Sequence, residues 1–246
     1  MKKILIISYI IFTTCMGFSQ KTTIYCIGDS TMADKVNPEE NPEHGWAQVL
    51  GDFFDEQVNI DNRAVNGRSS KSFINEGRWD SVLQTLAPGD FVFIQFGHND
   101  QKFKDSSRYT NPHTTYRHNL MRFVRETREN GAIPVLFSSI VRRNFNEFGS
   151  LIDTHGEYPV ETRWVAHELE VPFIDLQYLT ENMEIAHGVE GSKNLHLHFG
   201  PGKHPYYPDG KEDDTHLSRK GALLVAGMAV EALKAQDLSL AKHIKP

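Results

Sequence analysis

The chain has 246 residues, of which 39% are hydrophobic and 24% are charged, and its formal net charge is −6 at pH 7. That length and apolar fraction suffice for one sizeable core, so a single globular domain is expected. The negative charge disfavours approach by a polyanion, which argues against nucleic acid as a partner.

The N-terminus has the pattern of a secretory signal peptide. Met1-Lys2-Lys3 is a short basic head, and an apolar stretch from Ile4 to Phe18 follows it. We expect a signal peptide over residues 1–19, one domain over residues 20–246, and a secreted or periplasmic product. The stretch is interrupted and falls short of the ~20 apolar residues that span a bilayer, so no membrane association is expected after cleavage.

The sequence contains two cysteines, Cys15 and Cys26. Lipidation at Cys15 is a weaker alternative to cleavage, because Phe12-Thr13-Thr14 fits a bacterial lipoprotein signal poorly. If Cys15 leaves with the signal, Cys26 has no intramolecular partner, and stability must come from packing.

Short runs rich in Val, Ile, Phe and Tyr recur along the chain. Near-continuous apolar runs such as Phe91-Val92-Phe93-Ile94 favour strands buried on both faces of a parallel sheet. Five strands are predicted, over Thr22 to Gly28, Gln57 to Arg63, Asp90 to Gly97, Ala132 to Ser139 and Val171 to Asp175.

Segments with helical spacing of apolar residues lie between these runs. Helices are predicted around Trp46 to Phe53, Trp79 to Leu86 and Leu120 to Val124, and from Arg219 to Leu233 after Ser218 as N-cap. Strands that alternate with helices indicate right-handed β-α-β units and a three-layer α/β/α sandwich.

Ligands of such sheets lie beyond the carboxyl ends of the strands. Ser30, Gly67 and Asn99 each follow a predicted strand, so one edge of the sheet is expected to collect them. The residues from Gly191 to Thr215 are rich in Gly, Pro, His and Tyr and are predicted to form one long irregular loop. A loop of that length is more often functional than idle.

Four short segments carry the chemical signal. They are Gly28-Asp29-Ser30-Thr31, Asn66-Gly67-Arg68-Ser69, Gly97-His98-Asn99-Asp100 and Asp213-Asp214-Thr215-His216. Each alone has an ordinary explanation as a helix cap, a turn or an acidic helix start. Together they supply a serine, a glycine amide, an asparagine amide and an Asp/His pair, the groups needed for acyl transfer through a serine nucleophile.

The predicted roles follow from that chemistry. Ser30 is the predicted nucleophile, His216 the general base, and Asp213 the acid that fixes the tautomer of the ring. Asp214 is expected to point away from the imidazole. The Ser30 N–H, the Gly67 N–H and the Asn99 side-chain amide are the predicted donors to the oxyanion.

These segments resemble the sequence blocks of the SGNH (GDSL-like) hydrolase superfamily, and more narrowly its rhamnogalacturonan acetylesterase group. The supporting stretches are Gly28 to Ala33, Asn66 to Phe73, Gln95 to Asp100 and Pro208 to His216. The resemblance covers essentially the mature chain. It implies a parallel, flavodoxin-like five-stranded sheet, no metal or other cofactor, and removal of acetyl groups from an acetylated pectic polysaccharide or oligosaccharide.

Other functions remain open at this point. An acetylesterase acting on xylan or another glycan, and a GDSL-type lipase or thioesterase, would use the same catalytic set. A glycan-binding protein that has lost catalysis belongs to a different class, and the intact catalytic set argues against it.

A metal site is the alternative interpretation of His196, His198, His204 and His216. His196-Leu197-His198 would place two imidazoles on one face of a strand, as some zinc sites do. No His-Glu-x-x-His motif or clear third-ligand spacing accompanies them, so we expect these histidines to line the substrate cleft instead.

Candidate substrate contacts are aromatic side chains that stack on sugars and basic ones that pair with uronates. Trp46, Tyr206 and Tyr207 are the candidates for stacking, but Trp46 shares the apolar stripe of its helix and is expected in the core. Arg142 and Arg143 are the better basic candidates because they follow the fourth strand. The predicted substrate-binding set is Arg68, Arg142, Arg143, His198, Lys203 and Tyr206.

Overall fold

The computed structural model describes residues 21–246. The predicted signal peptide over residues 1–19, including Cys15, lies outside the described residues. Within residues 21–246, no helix combines the length and the apolar character needed to cross a membrane.

Strands and helices alternate along most of the described chain. The strands are β1 (Thr22–Gly28), β2 (Glu43–His44), β3 (Val58–Asn62), β4 (Phe91–Gln95), β5 (Ile133–Phe137), β6 (Phe173–Ile174), β7 (His196–Phe199) and β8 (Lys211–Ser218). The α-helices are α1 (Ser70–Asn75), α2 (Arg78–Leu83), α3 (Arg117–Glu129), α4 (Glu157–Glu168), α5 (Leu176–Gly191) and α6 (Arg219–Lys234). Shorter helical turns are Ala47–Phe53, Pro112–Tyr116, Ser192–Leu195 and Ser239–His243.

The central sheet has five strands in the order β3-β1-β4-β5-β6, and every neighbouring pair is parallel. Numbered within this sheet alone, the order is 2-1-3-4-5, which is that of flavodoxin-like folds. Ile24 in the middle of β1 aligns with Ile60 of β3 and with Phe91 of β4. The predicted parallel five-stranded sheet is therefore confirmed.

Successive side chains of each strand enter two separate cores. Ile24 and Phe93 face a core shared with α5, α6 and the turn Ala47–Phe53. Ile27 and Ile94 face a core shared with α1 to α4. Burial of a large apolar side chain stabilises the fold by about 1.5–3 kcal/mol each. The predicted three-layer α/β/α sandwich is confirmed, and Trp46 is fully buried as expected.

Helix boundaries differ in part from those predicted. The segment around Trp46 forms a 3₁₀ turn, and α2 is shorter than its apolar pattern suggested. The last helix matches, because the Ser218 side chain accepts a hydrogen bond from the Gly221 N–H at 3.2 Å and caps α6.

A second, antiparallel sheet with the order β2-β8-β7 lies where the sequence predicted one long loop over Gly191 to Thr215. That prediction is wrong for β7 and for the first part of β8. Leu197 pairs with Asp213 and His198 pairs with Glu212 across the two strands. Polar side chains occupy most positions of β8, so its strand has no apolar run by which to recognise it.

Candidate active site

The carboxyl ends of β1, β3 and β4 meet where the strand order of the central sheet reverses. Ser30 follows β1, Gly67 follows β3, and Asn99 follows β4. Open parallel sheets bind ligands in the crevice at such a reversal. The topology therefore brings these three predicted site residues to one edge.

The turn after β1 is built on a close approach of two backbones. A Cβ at Gly28 would lie 2.7 Å from the Gln95 carbonyl oxygen, so a larger residue would not fit there. Beyond it, Asp29 Oδ1 accepts hydrogen bonds from the Thr31 N–H at 3.0 Å and from Thr31 Oγ1 at 2.9 Å. These contacts fix the backbone on both sides of Ser30.

A buried hydrogen-bonded chain supports that turn from the core. Trp46 Nε1 donates to Gln95 Oε1 at 2.7 Å, and Gln95 Nε2 donates to Thr31 Oγ1 at 2.6 Å. Because Trp46 and Gln95 are fully buried, these hydrogen bonds couple the packed core to the serine turn. Satisfied buried networks of this kind rigidify the segment that they hold.

Ser30, His216 and Asp213 form one hydrogen-bonded line. Ser30 Oγ lies 2.9 Å from His216 Nε2, and His216 Nδ1 lies 2.9 Å from Asp213 Oδ2. Asp213 Oδ1 also accepts from the backbone N–H groups of Thr215 and His216, each at 3.0 Å. Asp213 and His216 lie on β8 rather than on the loop that was predicted for them.

The environment of Asp213 favours its carboxylate form. Partial burial opposes ionisation, but hydrogen bonds from the ring and backbone of His216 outweigh it and hold the pKa of Asp213 well below its usual range. An ionised Asp213 accepts the Nδ1 proton of His216. That tautomer leaves the lone pair of Nε2 directed at the Ser30 hydroxyl.

Three donors lie around the serine turn. Within residues 21–246, neither the Ser30 N–H nor the Gly67 N–H donates to a protein acceptor. The Asn99 side-chain amide donates to the Arg68 carbonyl oxygen at 3.1 Å, which ties it to the backbone next to Gly67. An amide nitrogen has two protons, so a second Asn99 donor is left for a ligand.

Asp100, the last residue of the third sequence block, joins that block to the second. Its buried carboxylate accepts from the Ser70 N–H at 3.1 Å, from Ser70 Oγ at 2.6 Å and from Thr110 Oγ1 at 2.9 Å. Burial raises the pKa of Asp100 to about 6. The contacts fix the start of α1, and with it the loop that carries Gly67.

Lys35 is a further residue that the sequence interpretation missed. Its buried ammonium group donates to the Ser30 carbonyl oxygen at 2.6 Å and to Asn66 Oδ1 at 2.7 Å, and it pairs with Glu43 Oε1 at 2.8 Å. Asn66 is 31 residues from Lys35 in the sequence, so no local pattern could have revealed the link between the two loops. Lys35 connects the serine turn to the residue before Gly67.

His196 does not line the cleft, contrary to the sequence prediction, because it is buried behind His216. Its Nδ1 lies 3.2 Å from the His216 carbonyl oxygen, and its Nε2 lies 2.8 Å from Glu184 Oε1. A carbonyl oxygen only accepts, so Nδ1 carries a proton. His196 supports the backbone of the base, and Glu184 gave no signal in the sequence.

Arg143 is not on the open edge, which corrects its assignment as a substrate contact. Its buried guanidinium donates to Asp214 Oδ1 at 2.8 Å, to Ser192 Oγ at 3.0 Å and to the Val189 carbonyl oxygen. His198 Nε2 also lies 2.8 Å from Asp214 Oδ1. Both side chains thus bind Asp214, whereas His216 is held by Asp213.

The other predicted substrate contacts lie in three places. Arg68 Nε pairs with Glu76 Oε2 at 3.0 Å in a cleft that Gly67 also lines. Arg142 is mostly buried and donates to the His98 carbonyl oxygen at 3.4 Å. Lys203 and Tyr206 are exposed on the loop between β7 and β8. Their roles stay predictions.

Groups of three or more potential metal ligands are absent from residues 21–246. His196 and His198 carry their own carboxylate partners, Glu184 and Asp214. His204 lies instead on the loop between β7 and β8, where its ring packs against Phe199 with the centroids 4.9 Å apart. The four histidines considered for a metal site therefore serve separate local contacts.

Comparison with known proteins identifies relatives of this arrangement. The model of the GDSL-like lipase/acylhydrolase family matches residues 26–224. The chain is 43% identical over 221 residues to rhamnogalacturonan acetylesterase RhgT of Bacillus subtilis strain 168, covering 90% of this chain and 93% of that protein. It is 33% identical to a second protein of that strain, named "Probable rhamnogalacturonan acetylesterase YesY", covering 90% and 96% of the two chains.

A solved structure has the same fold. The crystal structure of protein YXIM from Bacillus subtilis superimposes with a TM-score of 0.76 at 25% sequence identity. The match covers 89% of this chain and 58% of that longer chain.

Proposed function

The chain belongs to the GDSL-like lipase/acylhydrolase family, and we propose that it is a serine acetylesterase that removes acetyl groups from rhamnogalacturonan. Its family and its acetylesterase relatives make it a carboxylic ester hydrolase. The acyl group that is removed, the polymer that carries it and the catalytic residues belong to the proposal.

The reaction proceeds in two halves. In the first, Ser30 Oγ attacks the acetyl carbonyl carbon while His216 Nε2 takes the serine proton. The tetrahedral oxyanion is held by the Ser30 N–H, the Gly67 N–H and the Asn99 amide. The C–O bond to the sugar then breaks, and His216 returns the proton to the departing sugar oxygen.

The second half regenerates the enzyme. His216 Nε2 removes a proton from water as that water attacks the acetyl-Ser30 carbonyl carbon. The same donors hold the second oxyanion. Its collapse breaks the bond to Ser30 Oγ, which regains a proton from His216, and acetate leaves.

One observation carries the catalytic part of this proposal: the Ser30–His216–Asp213 line, with both of its links at 2.9 Å. Each link is within hydrogen-bonding distance before any substrate binds. The three residues come from opposite ends of the chain, since 186 residues separate Ser30 from His216. A structural hydrogen bond alone gives no reason for the free donors beside Ser30.

The substrate part is supported by the 43% identity to an enzyme named for rhamnogalacturonan over nearly the whole of both chains. Export is supported by the N-terminal pattern of a basic head followed by an apolar stretch from Ile4 to Phe18. A polymeric cell-wall substrate would require that export, because it does not enter the cell.

The test is acetate release by the purified chain from acetylated rhamnogalacturonan, acetylated xylan and aryl esters of increasing acyl length. The proposal predicts the highest rate on rhamnogalacturonan and a preference for acetyl over longer acyl groups. Ser30→Ala is the matched control, which gives the rate of acetate release without the proposed nucleophile. Equal or faster release from xylan would overturn the pectin assignment, and a preference for long acyl chains would indicate a lipase.

A further inference from the structure

Arg142 is a mostly buried cation that forms no ion pair with a described residue. Its guanidinium donates to Thr154 Oγ1 at 3.1 Å and to the His98 carbonyl oxygen at 3.4 Å. When the Gln101 amide is oriented so that both its nitrogen and its oxygen have a partner, the oxygen accepts from Arg142 Nη1 at 2.6 Å. All three acceptors are neutral, and no carboxylate among residues 21–246 lies within ion-pair distance of Arg142. Buried charges are normally paired, so this arrangement calls for an anion.

Lys102 is a second uncompensated cation in the same region. It forms no salt bridge with any residue from 21 to 246. Partial burial lowers its pKa, and the positive charges of Arg108 and Arg142 lower it further. Asp105 pairs with Arg108 at 2.5 Å, whereas Lys102 and Arg142 have carboxylates only beyond ion-pair distance, Asp29 and Asp105 for Lys102 and Asp29 and Asp153 for Arg142.

Lys102 lines a cleft of about 540 Å³, and Arg142 lies behind its wall, where it is held by the lining residues Gln101 and Thr154. The other lining residues are Phe103, Lys104, Asp105 and Arg108, so cations outnumber carboxylates there. Phe103 has 72% of its surface exposed, and Lys104 Nζ lies 5.7 Å from the centroid of its ring. An exposed aromatic face beside ammonium and guanidinium groups suits a sugar ring that bears a carboxylate.

The cleft adjoins the candidate active site. Arg142 donates to the carbonyl oxygen of His98, the residue directly before Asn99. Arg108 connects the cleft to the oxyanion loop, because its Nη1 lies 3.5 Å from Asn99 Oδ1 and also borders Gly67. A glycan with its ester at Ser30 would therefore extend into this cleft.

We propose that the cleft lined by Gln101, Lys102, Phe103 and Thr154 is a subsite for one uronate unit of the glycan. Lys102 contacts the carboxylate directly, Arg142 neutralises it from behind, and Phe103 stacks on the ring. The choice of a uronate rests on the proposed function, since rhamnogalacturonan carries galacturonate units. Lys102 and Phe103 were not among the substrate contacts predicted from the sequence.

The test uses an unacetylated competitor, so that it does not depend on deacetylation of any glycan. Trigalacturonate and its fully methyl-esterified form are compared as inhibitors of aryl acetate hydrolysis. The inhibition constant of each variant is referred to that variant's own uninhibited rate. Trigalacturonate should inhibit the unaltered protein more strongly than the ester does, and added salt should weaken that difference.

Two variants separate charge from stacking. Lys102→Gln should raise the inhibition constant of trigalacturonate roughly three- to tenfold and leave that of the methyl ester unchanged. Phe103→Ala should weaken both competitors equally, because stacking does not depend on the carboxylate. Lys242→Gln is the matched control, since Lys242 is exposed in the turn Ser239–His243, which contacts the chain before β3 at the opposite edge of the sheet.

The outcomes distinguish this proposal from the preceding one. An unchanged inhibition constant in Lys102→Gln, or an equal change for acid and ester, would overturn the subsite. If trigalacturonate inhibits through Lys102 while rhamnogalacturonan yields no acetate, the subsite stands and the proposed function fails. If rhamnogalacturonan is deacetylated and trigalacturonate does not inhibit, only the subsite fails.

Discussion

Asp213 and Asp214 are consecutive residues of β8 whose carboxylates bind different partners. Asp213 Oδ2 is 2.9 Å from His216 Nδ1, whereas Asp214 Oδ1 is 2.8 Å from both His198 Nε2 and Arg143 Nη1. A regular strand would place Asp214, not Asp213, on the same face as His216. β8 is irregular here, because its register with β7 shifts between the pairs Leu197–Asp213 and His196–Leu217, and Asp213 Oδ1 accepts from the N–H groups of Thr215 and His216. Two chemically identical neighbours therefore have different surroundings.

The first prediction compares amide substitutions at these two positions. Asp213→Asn removes the carboxylate that sets the tautomer of His216 and should lower kcat by about 10⁴-fold. Asp214→Asn leaves the His216 contacts intact and should keep most of kcat. It should instead lower the midpoint of thermal unfolding, because buried Arg143 loses its charged partner.

Steady-state kinetics on one acetyl ester and thermal melting of both variants check this prediction. Circular dichroism establishes that each variant is folded. A larger loss of kcat in Asp214→Asn than in Asp213→Asn would refute the assignment of Asp213 as the acid.

The second prediction concerns the oxyanion donor Asn99. Asn99→Ala should lower kcat by roughly 10²- to 10³-fold with a smaller change in KM, because the donor acts on charge that develops in the transition state. The measurement is kcat and KM on an aryl acetate. A rise in KM at unchanged kcat would assign Asn99 to substrate binding instead.

The third prediction concerns Lys35 as a positioning residue. Lys35→Met removes the link between the Ser30 carbonyl oxygen and Asn66 and should lower kcat by about 10- to 100-fold at little cost in KM. Glu43→Gln is the control, since it removes the charge partner and keeps both links. Equal loss of kcat in the two variants would mean that the ion pair matters, and the link between the loops does not.

The fourth prediction concerns the buried pair His98 and His155, whose rings lie 3.1 Å apart between Nδ1 and Nε2. Burial, aided by the charge of Arg142, lowers the pKa of His155 to about 3. In the unfolded chain His155 binds a proton near pH 6.5, so between these values the unfolded state holds more protons than the folded state. The free energy of unfolding should therefore fall as the pH falls from 6.5 towards 3, by about 1.4 kcal/mol per pH unit for one such group.

His155→Gln should reduce the pH dependence of the free energy of unfolding by the contribution of up to one proton, and should leave the contribution of His98. Urea unfolding of both proteins at several pH values between 7 and 4 provides the comparison. Parallel stability curves would contradict the assignment of His155 as a neutral buried ring.

The central sheet could be predicted because its strands are buried on both faces. Runs such as Phe91-Val92-Phe93-Ile94 follow from that burial and need no knowledge of distant contacts. The second sheet could not be predicted in the same way. Its strand β8 has Asp213 and His216 at positions where a buried strand would have apolar residues. These two residues of the candidate site therefore remove the apolar pattern by which a strand is predicted.

The residues of the candidate site likewise divide into those that the sequence predicts and those that it does not. Ser30, Gly67 and Asn99 follow predicted strands and could be grouped by topology alone. Lys35 and Glu184 could not, because they lie outside the four sequence blocks and their contacts with Asn66 and His196 follow from the fold rather than from a motif. Arg143 was misassigned because its position after a strand says nothing of which way its side chain turns.

The most direct test of the account is covalent labelling with a serine-directed phosphonate, followed by peptide mass spectrometry. The account predicts one adduct per chain, located at Ser30, with loss of acetyl ester hydrolysis in proportion to labelling. Ser30→Ala should take up no label and should lack turnover while melting as a folded protein. An adduct at another residue, or turnover that persists in Ser30→Ala, would contradict the assignment of Ser30 as the nucleophile.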